Sequence, residues 1–114
     1  MNDKIVILVA CGSRREAKKI ARRLVESKLA ACVNVSPPFE SIYRWKGKIR
    51  DDREVLILIK TRCQLFPIVE ATIRALHSYT TPEVIALPIV AGSAEYMRWL
   101  EESIEPPRAG LEQK

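Results

Sequence analysis

The hydrophobic and polar positions of this chain alternate between short apolar runs and helical patterns. Two runs are almost wholly apolar, at residues 4–11 and 55–59, which is typical of strands buried on both faces at the centre of a sheet. Two further segments combine apolar and polar residues and contain or adjoin prolines. They are 30–36, which resumes at residue 40, and 83–90. Because proline cannot donate to a strand ladder, these two segments are predicted to lie at the sheet edges.

Apolar residues recur at helical spacing in three segments between and after the strands. The first begins at Ser13, which with Glu16 fits a capping box, and its predicted core stripe comprises Ala17, Ile20, Ala21, Leu24 and Val25. The second covers 62–77 with Pro67 in its first turn, and a short third helix follows Ser93. The order β-α-β-β-α-β plus a C-terminal helix predicts an α+β, ferredoxin-like split βαβ fold. Its sheet is antiparallel with strands one and three central.

Residues 40–61 are predicted to form a long hairpin with a buried base and a projecting tip. Lys46-Gly47 supplies a tight turn, because Gly47 tolerates the positive φ that such turns need. Tyr43 and Trp45 would lie near this tip. Exposed aromatic side chains of this kind favour an interface with another copy of the chain. We therefore predict an interface containing Tyr43, Trp45 and, from the last helix, Trp99.

Length and composition suit one soluble domain. The chain has 114 residues, of which 47% are hydrophobic and 29% charged; we assign the domain to residues 1–104 and expect 105–114 to be a mobile tail. No apolar run reaches the length of a membrane span, and the N-terminus lacks a signal-peptide pattern. The three cysteines are odd in number and are interpreted as free thiols in a reducing compartment, so we expect a cytoplasmic protein with no membrane partner.

The net charge of +5 is concentrated on the first helix, at Arg15, Lys18, Lys19, Arg22 and Lys28. A solvated helix face explains this pattern more simply than a nucleic-acid partner does, since residues 55–59 lack the aromatic side chains of RNA-binding sheets. An acylphosphatase-like enzyme has the same element order, but this chain lacks the glycine-rich phosphate cradle. We therefore expect no nucleic-acid partner and predict that the protein is not an enzyme.

Five blocks of sequence resemble the CutA divalent-cation tolerance family, in order and at matching spacing from about residue 5 to residue 103. They are LAACVN at 29–34, SIYRWKGKI at 41–49, EVLILIKT at 54–61, HSYTTPE at 77–83 and YMRWL at 96–100. The resemblance implies a ferredoxin-like subunit in a homotrimer, similar in build to PII signalling proteins. It also implies a link to copper and other divalent cations, with no required cofactor.

The resemblance also directs attention to metal ligands. Family members usually have His-Pro-Tyr where this chain has His77-Ser78-Tyr79, and some place a cysteine at the position of Val9, two residues before Cys11 on the same strand face. His77 is the one histidine, and imidazole and thiolate suit Cu²⁺ and similar ions. The candidate ligands are thus His77, Cys11 and the carboxylate of Glu83. In the alternative interpretation, His77 closes the second helix.

Tyr79, Pro82 and Glu83 are predicted to form a rim where the second helix passes to the fourth strand. In a trimer this rim would lie in a cleft between subunits. The alternative function is accordingly that of a PII-like sensor or scaffold, binding a small metabolite or a protein partner in such clefts.

Overall fold

The computed structural model describes residues 2–106 of the chain. Four strands and three α-helices follow one another in the predicted order. Their bounds are β1 Lys4–Cys11, α1 Arg14–Glu26, β2 Cys32–Trp45, β3 Lys48–Arg62, α2 Phe66–Leu76, β4 Val84–Pro88 and α3 Ala94–Ser103, with a 3-10 turn at Cys63–Leu65 before α2. Of the predicted tail at 105–114, residues 107–114 lie outside the described residues.

The sheet has the order β2-β3-β1-β4, and each neighbouring pair is antiparallel. The predicted α+β fold, with strands one and three at the centre, is therefore confirmed. Ile7 faces Ile59 on β3 and Ala86 on β4, so β1 is hydrogen-bonded along both sides. β4 is shorter than predicted and ends at Pro88, although the N–H of Ile89 still donates to the carbonyl of Lys4 at 3.1 Å.

β2 and β3 form the predicted long hairpin. β2 is one strand across Pro37-Pro38, where the pairing with β3 shifts register between Val35 and Pro38, a bulge that an edge strand tolerates. At the tip Lys46 and Gly47 have φ of 51° and 80°, which is the two-residue turn that joins strongly twisted strands. The segment of β3 nearest the tip is exposed and the segment from Glu54 onward is largely buried.

Helices α1 and α2 cover one face of the sheet. The main core contains the odd-numbered residues of β1, their neighbours on β3, and apolar side chains of both helices, including Ile20, Leu24, Val69 and Ile73. In the predicted stripe of α1, Val25 is instead exposed, because it lies at the border of the apolar face. The basic residues of α1 are exposed, as a solvated helix face requires.

The capping box at the start of α1 is formed only by half. The hydroxyl of Ser13 accepts a hydrogen bond from the backbone N–H of Glu16 at 3.1 Å. The Glu16 carboxylate does not return this bond to Ser13. It is turned instead toward the segment after α2, where it contacts the backbone N–H of Ser78 and the ring of His77.

The opposite face of the sheet is covered in part by α3. Lys4 and Arg62, both at least 90% buried, form ion pairs there with Asp3 and Glu101. Beyond this network, large apolar side chains of β4 stay exposed, with Ile85 and Leu87 about half accessible. Among the described residues, no helix combines the length and the hydropathy needed to cross a bilayer.

Candidate metal centre and adjoining cavity

His77 lies at the C-terminal end of α2, and its backbone N–H donates to the carbonyl of Ile73 at 2.8 Å, so it closes the helix as the alternative interpretation predicted. Its ring is buried and held on both sides. Nε2 donates to the carbonyl oxygen of Ala10 at 2.8 Å, and Nδ1 accepts the backbone N–H of Tyr79 at 3.0 Å. The ring is therefore the neutral tautomer with its proton on Nε2.

Glu16 extends from the first turn of α1 toward this ring. Its Oε1 accepts the backbone N–H of Ser78 at 3.1 Å. Its Oε2 lies 3.4 Å from Nδ1 of His77, is buried, and has no hydrogen-bond donor. Because Nδ1 already accepts the N–H of Tyr79, it has no proton to give to Oε2. Two acceptor atoms thus face each other in a buried position, which is unfavourable without a proton or a cation.

Cys11 supplies a third atom at the same place. It ends β1 and is fully buried. Burial raises the pKa of its thiol to about 12, and the charges of Glu16 and Glu54 act in the same direction. One ligand atom from each of Cys11, Glu16 and His77 lies within 4.8 Å of the other two. Among residues 2–106, this is the one group of three such side chains close enough to share a metal ion.

The structure brings together two of the three predicted metal ligands. Cys11 and His77 are neighbours, but Glu83 is exposed and does not join them. The carboxylate at this place is Glu16, which sequence reasoning missed because its position in a capping box appeared to explain it. A signal was present in the sequence: only Gly12 and a helical turn separate Cys11 from Glu16, so both had to lie near the same end of the sheet.

A cavity of about 700 Å³ opens beside this group, between the hairpin and residues 78–83. Its wall includes Tyr43, Trp45, Asp52, Glu54 and Tyr79. The hydroxyl of Tyr79 donates to Oε2 of Glu54 at 2.9 Å, and the hydroxyl of Tyr43 donates to Asp52. Burial and the hydrogen bond to Glu54 raise the pKa of Tyr79, so this hydroxyl remains a donor across the physiological range.

Two of the three residues predicted to form the rim line this cavity. Tyr79 and Glu83 line it, and Pro82 is a half-buried neighbour of Glu83. Gly12 permits the close approach of Tyr79, because a Cβ there would lie 3.2 Å from the tyrosine hydroxyl oxygen. One end of the segment 77–83 therefore belongs to the metal-ligand group and the remainder to the cavity.

The three aromatic residues of the predicted trimer interface are all accessible. Tyr43 is 36% exposed, Trp45 39% and Trp99 45%. Tyr43 and Trp45 also line the cavity, and Trp99 contacts the ring of Tyr96 on α3, with ring centroids 5.5 Å apart. Their role between subunits stays a prediction.

A family model and several curated proteins match this chain. The family model described as CutA1 divalent ion tolerance protein matches residues 5–103. The divalent-cation tolerance protein CutA of Thermus thermophilus is 48% identical over 98 residues, covering 86% of this chain and 95% of that protein. Protein CutA of Homo sapiens is 47% identical over 97 residues, covering 85% of this chain but 54% of its own length. The chain thus spans about half of the human relative.

Solved structures give the same result for the fold. The Thermus thermophilus protein has a TM-score of 0.87 at 46% identity, covering 90% of this chain and 99% of that one. The structure from Archaeoglobus fulgidus, described as a periplasmic divalent cation tolerance protein, has a TM-score of 0.86 at 42% identity, with the same two coverages.

Proposed function

Because the chain belongs to the CutA1 divalent ion tolerance family, we propose that it binds a divalent cation, Cu²⁺ in particular, through Cys11, Glu16 and His77. The observation that carries the proposal is Oε2 of Glu16, a buried oxygen without a donor that lies 3.4 Å from Nδ1 of His77. A cation between these atoms would remove the repulsion of two facing acceptors. Thiolate, imidazole and carboxylate together suit Cu²⁺ and Zn²⁺.

Binding at this place would be weak. The thiol of Cys11 must lose a proton, although burial raises its pKa to about 12. Nδ1 of His77 must also exchange the N–H of Tyr79 for the metal. These two costs support a dissociation constant on the order of micromolar or weaker. They also fit a protein that responds to excess metal and requires no resident cofactor.

Native mass spectrometry with stepwise addition of Cu²⁺ or Zn²⁺ tests the proposal, because it reports assembly and metal count together. The titration is made in a Cys32→Ser, Cys63→Ser background, so that Cys11 is the remaining thiol. We expect one metal ion per subunit, lost in His77→Ala and in Glu16→Gln. The matched control is Glu26→Gln, an exposed carboxylate on the same helix. Metal uptake that is unchanged in His77→Ala would refute the site.

We further propose that the protein is a homotrimer. The proposal is supported by the exposed apolar side chains of β4, by Trp99 of α3, and by Ile42 and Ile49 of the hairpin, which are 70% and 62% accessible. Its three free cysteines support a reducing, cytoplasmic location. We assign no catalytic residue to this chain and propose that it acts without catalysis.

The cavity between the hairpin and residues 78–83 favours a second candidate function. Its volume of about 700 Å³ is within the range of small-molecule sites, and its wall combines aromatic rings with a few polar groups. This supports a PII-like sensor or scaffold that holds a small metabolite, or a segment of a partner, in this cleft. Binding of a small molecule that is abolished by changes in the cavity wall, and retained by Cys11→Ser, would separate this function from metal binding.

A further inference from the structure

Glu54 is a charged residue buried in the wall of the cavity without a cation to balance it. It is only 6% exposed, and its Oε2 accepts the hydroxyl proton of Tyr79. Among residues 2–106, Glu54 has no salt bridge to any lysine, arginine or histidine, and no hydrogen bond reaches Oε1. Buried carboxylates are normally paired, because an isolated charge in a low-dielectric site is costly.

The other groups of the wall increase this negative character. Asp52 and Glu83 line the same cavity, against the single cation Arg50, whose guanidinium is 3.8 Å from Asp52. Arg50 is therefore paired with Asp52. Arg14 and Arg53 border a smaller pocket with Glu54, but neither forms an ion pair with it. The hydroxyl of Tyr79 provides a neutral donor to Glu54, but it adds no positive charge.

The cation that would balance Glu54 is not expected to be a metal ion bound by the carboxylates of the wall. In the described part of the chain, the group of metal-ligating side chains close enough to share an ion is Cys11, Glu16 and His77, and it contains no carboxylate of the cavity wall. The space is also far larger than an ion needs, and three aromatic rings, those of Tyr43, Trp45 and Tyr79, border it. Aromatic faces and dispersed carboxylates are the surroundings that alkylammonium and guanidinium groups prefer.

We propose that this cavity binds a small organic cation, an amine or a guanidinium compound, with its charged group on Glu54 and its carbon chain against the tyrosine and tryptophan rings. The inference rests on the second candidate function above, since it names the ligand class of the same cleft. Oε1 of Glu54 accepts the N–H donors of the ligand, while Tyr79 holds Oε2 and fixes the plane of the carboxylate. Glu83 and Asp52 at the wall attract the cation and repel anions.

Isothermal titration calorimetry of the full chain with agmatine tests the ligand class, because agmatine carries an amine and a guanidinium on one short chain. The buffer contains EDTA, so that metal binding does not contribute, and about 0.15 M salt to screen weak surface attraction. Glutarate, of comparable length and opposite charge, is the ligand control. We expect agmatine to bind and glutarate not to bind.

Variants then locate the contact. Glu54→Gln keeps the shape and the bond to Tyr79 but removes the charge, so we expect about tenfold or greater loss of agmatine affinity, the size typical of a hydrogen bond to a charged group. Glu26→Gln, away from the cavity, should change the affinity less than twofold, as expected for an exposed surface charge. Glu83→Gln, an exposed residue of the wall, tests the charge of the cavity without risk to folding and should weaken binding by a smaller factor.

Each outcome decides a different point. Equal agmatine affinity in wild type and in folded Glu54→Gln would overturn the role of Glu54. Binding of glutarate in place of agmatine would overturn the cationic ligand class but keep the cleft as a binding site. Binding of neither would overturn the cationic ligand class, as expected if a neighbouring copy fills the cleft, and would leave the second candidate function to its own test. None of these results bears on the Cu²⁺ titration, in which Cys11 and His77 are varied.

Discussion

The backbone N–H of Tyr79 donates to Nδ1 of His77 at 3.0 Å, so the nitrogen that would bind a metal also holds a residue of the cavity wall in place. Glu16 makes the parallel contact, since its Oε1 accepts the N–H of Ser78 at 3.1 Å. The same two side chains are proposed metal ligands. The metal site and the adjoining cavity are therefore connected through two consecutive peptide groups.

This connection predicts that metal binding frees the amide of Tyr79. Nδ1 has one lone pair in the ring plane, so coordination replaces the hydrogen bond. We expect faster hydrogen exchange at Tyr79, and to a smaller degree at Ser78, when Zn²⁺ is added. The amide of Leu29, which donates to Leu24 at 2.9 Å far from the site, serves as the reference and should not change. Bound Zn²⁺ with unchanged exchange at Tyr79 would show that Nδ1 is not the ligand atom.

Ser13 and Ser93 precede α1 and α3 in the same way, but only one of them caps its helix. The hydroxyl of Ser13 accepts the N–H of Glu16 at 3.1 Å, whereas Ser93 makes no capping bond with its side chain. Ser13→Ala should lower the free energy of unfolding by about 1 kcal/mol, the usual value for loss of an N-cap. Ser93→Ala should have an effect below about 0.5 kcal/mol. Chemical denaturation of both variants measures the difference, and equal losses would contradict it.

Much of this fold follows from the sequence because strands and helices depend on local pattern. The prolines at 37, 38 and 88 placed their strands at the edges, and the apolar runs placed β1 and β3 at the centre, as observed. The metal-ligand group depends instead on the direction in which the side chain of Glu16 extends. Glu16 satisfied a local capping rule, yet its carboxylate turns toward Ser78 and His77, residues more than sixty positions away. No pattern within a helix indicates such a contact.

The cavity was less predictable for a similar reason. Tyr79 and Glu83 were recognised in the segment after α2, but the opposite wall is supplied by β2 and β3. Glu54 precedes the apolar run of β3 and resembles the charged residues before it. In the folded chain it is buried, and the hydroxyl of Tyr79, from the loop after α2, donates to its Oε2. Tertiary contact, rather than sequence pattern, thus determines which of several acidic residues is buried in the cavity wall.

The ion network under α3 predicts an acid-dependent contribution to stability. Hydrogen bonds from Lys4 and Arg62 lower the pKa of Glu101 from its ordinary value of 4.5. A lowered pKa in the folded state means that the stabilising contribution is present above about pH 4.5 and is lost as the pH falls through the lower, folded value. Because Glu101 is half exposed, the contribution should be below about 1 kcal/mol.

Glu101→Gln measures this contribution directly. The free-energy difference between wild type and variant should be largest at neutral pH and should shrink as the pH is lowered below about 4.5. Glu102→Gln, at the next and exposed position of the same helix, is the control and should show a smaller dependence on pH. A difference between wild type and Glu101→Gln that does not vary with pH would exclude the ionic origin of the effect.

The turn at the hairpin tip contains a residue in an unfavourable backbone conformation that a substitution can relieve. Lys46 has φ of 51°, a left-handed conformation that residues with a Cβ rarely adopt, and Gly47 follows with φ of 80°. Asn-Gly is the preferred pair for such a turn. Lys46→Asn should therefore raise the free energy of unfolding by about 0.5 kcal/mol. Lys48→Asn, in the adjoining strand where asparagine is unfavourable, should lower it. Thermal melting at one fixed protein concentration distinguishes the two.

Trp45 provides the last prediction, which concerns assembly. It lies at the end of β2 next to the turn, pairs with Lys48 in the ladder, and leaves 39% of its surface accessible. A large aromatic side chain held on a rigid hairpin loses little entropy on association and is a frequent anchor of interfaces. If neighbouring subunits cover it, Trp45→Ala should shift the native mass toward smaller species and make the melting temperature depend on protein concentration. Val25→Ala, which shortens an exposed apolar residue of α1, is the control and should leave the mass unchanged. An unaltered mass and melting curve in Trp45→Ala would remove the tip from the interface and leave the exposed residues of β4 and α3 as its basis.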